Sequence, residues 1–80
     1  MKRRFITQPF SMVEVFKTNI TRKKQATLLA GILAEQFPFY RINFDLQDCD
    51  NILRIEGHEV VPDKIIETLK LNGYHCEVLC

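Results

Sequence analysis

Eighty residues, 46% of them hydrophobic, suffice for one hydrophobic core and exclude a second domain with a core of its own. A chain this short is not expected to enclose a deep substrate cavity; a shallow surface site or an interface fits better, which turns the reading away from an enzyme. The net charge of +1 provides no whole-molecule attraction to nucleic acid or to an anionic membrane, and no run approaches the roughly 18 apolar residues of a membrane span.

Residues 1–10 read as a basic arm, since Lys2-Arg3-Arg4 is followed by one proline and by Phe5 and Phe10 without any period. The apolar run after the basic cluster breaks after Phe5-Ile6, so it lacks the stretch that a secretory signal needs. A single domain is expected over 11–80. Met12 to Lys17 is rich in β-formers and stops at Thr18-Asn19, which predicts a strand with Val13 and Val15 on its buried face. From about Arg22 to Gln36, Leu28, Leu29, Ile32 and Leu33 recur at helical spacing, with Pro38 just beyond.

Tyr40, Ile42, Phe44 and Leu46 then alternate with polar residues and share one face of a second strand. Gln47-Asp48-Cys49-Asp50-Asn51 has the composition of a hairpin turn, and Ile52 to Glu56 returns as a third strand ended by Gly57. Pro62 suits the first position of a second helix, whose stripe is Ile65, Ile66 and Leu69 and whose stop is Gly73. Tyr74 to Leu79 closes the chain as a short fourth strand.

The order strand-helix-strand-strand-helix-strand consists of two strand-helix-strand units. Right-handed crossovers fold such units into a four-stranded antiparallel sheet, order 4-1-3-2, with both helices on one face. The expected fold is therefore α+β, a ferredoxin-like sandwich. On that reading Met12, Glu14, Phe16, Ile52, Arg54, Glu56 and Leu79 form the open sheet face. RNA-binding sheets of this fold stack bases on aromatics of the central strands, and only Phe16 matches.

Three segments carry a resemblance to a known family. Val61-Pro62-Asp63-Lys64-Ile65-Ile66-Glu67-Thr68-Leu69, the turn Asn72-Gly73-Tyr74 and the strand Cys76-Glu77-Val78-Leu79 are similar to the second helix, Gly-Tyr turn and last strand of heavy-metal-associated domains, the module of copper chaperones and metal-pumping ATPases. The likeness spans about residues 12–79. The family holds copper or zinc in a Met-x-Cys-x-x-Cys loop, and counting back from Leu29 and Leu33 sets Ile20 at the methionine, Arg22 at the first cysteine and Gln25 at the second. Ile20 can keep the packing role. A guanidinium has no lone pair to donate and an amide oxygen suits a soft ion poorly, so the metal site does not carry over.

The remaining donors are scattered. Cys76 and Cys80 lie on the order of 13 Å apart along a strand direction, and the hairpin with Cys49 and the turn with His75 belong to opposite edge strands, roughly 14 Å apart. His58 belongs at the far end of the sheet. Cys76 alternates with Val78 and is expected in the core, and Asp45, Asp48 and Asp50 read as strand surface and turn residues. No nucleophile-base set, phosphate loop or zinc spacing is present in the sequence.

Arg22, Lys23 and Lys24 stand out, because cations in a first helical turn oppose the helix dipole. Outward-facing together, they suit an anion or an acidic partner. The expected function is a small non-catalytic binding module that keeps the sandwich, lacks the thiolate clamp and contacts a protein partner or a second copy of itself. The basic first loop or the sheet would make that contact. A competing reading retains a copper or zinc role through non-standard ligands, with Cys49 or His75 meeting its own copy in a dimer or with ligands lent by a partner. A phosphatase-like use of Arg22 lacks a nucleophile. Neither a cofactor nor a nucleic-acid or membrane partner is expected, and three cysteines without a framework suit the reducing cytoplasm.

Overall fold

The computed structural model describes residues 12–47 and 51–79. Six elements follow one another: β1 (Met12–Thr18), α1 (Lys23–Gln36), β2 (Arg41–Asp45), β3 (Ile52–Gly57), α2 (Pro62–Leu71) and β4 (Cys76–Val78). Each helix boundary has a local cause. Arg22 is the extended residue before α1, and the helix ends where the Phe37 N–H bonds to the Leu33 carbonyl, one residue before Pro38. Pro62 opens α2 with its φ already set, and Asp63 in the first turn and Lys70 in the last both complement the helix dipole. Gly73, at φ +89°, closes α2 in the left-handed conformation. Its N–H bonds to the Lys70 carbonyl and the Tyr74 N–H to the Leu69 carbonyl, a Schellman stop.

The sheet has the order β2-β3-β1-β4 with every pair antiparallel, the expected ferredoxin-like sandwich. Register brings Phe44, Leu53, Phe16 and Val78 into one row across the four strands. Phe16, Leu53 and Ile55 from the sheet meet Ala26, Leu29 and Leu33 from α1 and Ile65 and Leu69 from α2 in one core, so both helices cover the same face. Each fully buried Leu, Ile or Phe there contributes about 1.5–3 kcal/mol.

Two details of side-chain placement differ from the sequence reading. In β1 it is Phe16 and Thr18 that are buried, while Val13 is exposed and Val15 half-buried. Met12 and Glu14 go with Phe16 to the helix side, leaving Val13, Val15 and Lys17 beside Arg54, Glu56 and Ile52 on the open face. Both alternate sets of this strand contain apolar residues and one charge, so the pattern itself does not choose. Phe16 has the larger apolar area, and Thr18 finds partners for its hydroxyl inside, which together decide the phase. The open face of the two central strands is consequently without an aromatic. In α1, Leu28 is exposed because Ala26, Leu29 and Leu33 define the inward arc and Leu28 falls about 100° beyond its nearer edge at Leu29.

A small aromatic corner fastens the far end of the sheet. Tyr40 stacks on Phe37 with centroids 5.2 Å apart and planes 8° from parallel, and its hydroxyl donates to the Glu59 carbonyl. The ring lies directly over Gly57.

Candidate functional site

Chain geometry at the end of β1 organises the loop before α1. Thr18 is buried, and both its N–H and its Oγ1 donate to the Asn51 carbonyl, at 3.2 and 2.7 Å. The same Oγ1 accepts the Ile20 N–H at 3.2 Å. One residue on, the Asn19 N–H donates to the His75 carbonyl at 3.2 Å and the His75 N–H returns to Asn19 Oδ1 at 2.9 Å. The loop is thus tied on one side to the end of the β2–β3 turn and on the other to the α2–β4 turn. Ile20 is completely buried beneath it.

Beyond Ile20 the loop turns outward. Arg22, Lys23 and Lys24 are all exposed, and the first turn of α1 contains no acid. The Arg22 carbonyl accepts the Ala26 N–H at 3.1 Å, and the half-buried Gln25 takes the Arg22 N–H through Oε1 at 3.4 Å. Three positive side chains therefore stand around the positive end of a helix dipole, an arrangement that draws in anions and carboxylates and repels cations. Ile20 sits where a packing residue is expected. Of the two residues that the sequence reading sets at cysteine positions, Arg22 is exposed and Gln25 spends its oxygen on the helix cap.

The other donors do not converge on this loop. Among the described residues no group of three or more His, Cys, Asp and Glu could hold a metal ion. Cys76 points into the core opposite Thr18, and burial, reinforced by the Glu77 charge, pushes its thiol up to about 12. A thiol held protonated in this way is a poor nucleophile and a poor ligand. His75 is exposed and bound to the loop through its backbone alone, and His58 is exposed beyond the far end of β3. Asp45 Oδ1 accepts the Gln47 N–H at 3.2 Å, which is turn chemistry. Cys49, Asp48, Asp50 and Cys80, with the arm residues Lys2, Arg3, Arg4, Phe5 and Phe10, lie outside the described residues.

Sequence reading missed the Asn19–His75 clamp and the open depression of about 480 Å³ beside it, lined by Asn19, Lys70, Tyr74 and His75 among others. Asn19 shows only turn propensity in the sequence. Its partner is 56 residues away, and nothing in either local pattern names the other.

No helix of the described residues is long and apolar enough to cross a membrane. Neither a protein-family model, nor a curated protein, nor a solved structure matches the chain.

Proposed function

We propose that this protein is a non-catalytic binding module of the heavy-metal-associated type that lacks the thiolate clamp and docks an acidic protein partner on the loop between β1 and α1. The single observation that supports the reading is the joint exposure of Arg22, Lys23 and Lys24 on a loop whose base is fixed by Ile20, Thr18 and Asn19. A positioned cationic surface costs less entropy to engage than a flexible one, and its charges speed and select encounter with a negative partner. The same cations oppose the dipole of α1, so they weaken the helix that presents them. We read the protein as cytoplasmic on its odd, unpatterned cysteine set.

The triple variant Arg22→Glu, Lys23→Glu, Lys24→Glu tests this. Lys23→Glu and Lys24→Glu should each raise stability by about 0.3–1 kcal/mol, read by urea denaturation, because an acid in the first turn suits the dipole. Capture from native lysate with the tagged full chain should recover acidic, salt-sensitive partners with the native sequence and lose them with the triple variant. Retention of every partner by a folded triple variant would refute the loop as the contact surface.

A further inference from the structure

The hydrogen-bond phase of the sheet fixes which backbone groups β2 leaves free. Thr18 bonds through its N–H to Asn51, whereas the Asn19 N–H goes to His75 and the Leu79 N–H to Val15. Even residues of β1 therefore bond toward β3 and odd residues toward β4. In β3 the odd residues Leu53 and Ile55 bond back to β1, which leaves Ile52, Arg54 and Glu56 to bond with their β2 partners Asp45, Asn43 and Arg41. Ile42 and Phe44 consequently turn their N–H and C=O groups away from the sheet. Among the described residues no strand lies on that side of β2.

Within the described residues this edge lacks several of the usual protections. Arg41–Asp45 contains no proline and no lysine, and Ile42 and Phe44, on the helix side, are only half-buried. Its charges are instead self-complementary, with a cation at the start, an amide in the centre and an anion at the end. Laid antiparallel on a second copy with Asn43 facing Asn43, the strand brings Ile42 opposite Phe44 of the other copy, and these are the two residues whose backbone groups point outward. The same register sets Arg41 opposite Asp45 twice, in non-hydrogen-bonded pairs, where Cα atoms come within about 4.5 Å and side chains are closest. A slip of one residue mismatches the backbone donors and acceptors, and a slip of two leaves Asp45 or Arg41 without its counter-charge.

The helix layer permits this approach. Gln36 of α1 lies 3.2 Å from Thr68 of α2, which orients α1, and its flank away from α2 carries Lys23 at the helix start and then only Thr27, Ala30 and Ala34. Such short side chains leave space for the α1 of a second copy on the same side of the joined sheet.

We propose that the protein associates with a second copy of itself through β2, forming a two-fold dimer with one continuous eight-stranded antiparallel sheet and reciprocal Arg41–Asp45 pairs. Sedimentation of the full chain under reducing conditions should show a concentration-dependent monomer–dimer equilibrium. Arg41→Asp and Asp45→Arg should each weaken it about tenfold or more, since each change converts two attractive cross-strand pairs into repulsive ones. The combined exchange, Arg41→Asp with Asp45→Arg, should restore it. In a chain carrying Cys49→Ser and Cys80→Ser, Asn43→Cys should oxidise to a linked dimer at the two-fold axis, and Arg54→Cys, one strand further in, should not. A monomer at every concentration overturns the proposal, because another occupant then fills the edge or none does. A dimer that ignores the charge reversals, or that fails to link through residue 43, also overturns it by placing the interface elsewhere.

Discussion

A Cβ on Gly57 would sit 2.6 Å from the Tyr40 ring, which cannot swing aside freely because Phe37 stacks on it and the Glu59 carbonyl holds its hydroxyl. Gly57→Ala should therefore cost about 1–3 kcal/mol, the range for forcing atoms into a packed site. Urea denaturation measures it, and adding Tyr40→Ala should make the pair markedly less than additive, since the clash disappears with the ring. Cys76 yields a second expectation at the same scale. Its thiol rises from the ordinary 9.0 to about 12, so between those pH values the unfolded chain loses a proton that the native state keeps. Stability contributed by this group is complete below about pH 9 and falls as pH climbs from 9 toward 12. Compared with Cys76→Ala, the native sequence should show the steeper decline in urea midpoint over that window. Equal slopes would mean that the thiol is not shielded as its burial implies. The inward place of Cys76 was readable from its alternation with Val78; the clash at Gly57 was not, because it joins the end of β3 to Tyr40, which precedes β2 and lies 17 residues away in the chain.

At the scale of elements, the loop before α1 is held by Thr18 more than by its own composition. Thr18→Val keeps the shape of the side chain but removes the donor to Asn51 and the acceptor for the Ile20 N–H. The Asn51 carbonyl keeps the Thr18 backbone N–H, but leaving the buried Ile20 N–H unpaired should cost about 1–3 kcal/mol, and hydrogen exchange at the Ile20 amide should accelerate while core amides of β3 change less. Thr18→Ser, which keeps the hydroxyl, should retain the Ile20 protection. Helix and strand positions were legible here because each carries its own punctuation: Pro62 and Gly73 bracket α2, Pro38 follows α1, and polar residues interleave Ile42 and Phe44. The phase of β1 was not legible. Met12 to Thr18 offers apolar residues on both faces, and only packing against Leu53 and the helices selects Phe16 over Val15.

For the whole molecule, topology places the basic loop at the end of the sheet where β1 and β2 both finish, since each is antiparallel to β3. Two-fold pairing of β2 would send the two loops to opposite ends of the joined sheet, leaving both open to partners. A partner with two acidic segments would then gain avidity only if it spanned the sheet from end to end. Element order and sheet order were legible in the amino-acid sequence, because hydrophobic period, turn residues and crossover handedness are local or nearly universal signals. The tertiary structure alone decided which face of β1 is buried, how Asn19 and Thr18 brace the loop, and which backbone groups of β2 are left outward. Those outcomes depend on contacts between residues far apart in the chain, and no short window of sequence contains both partners.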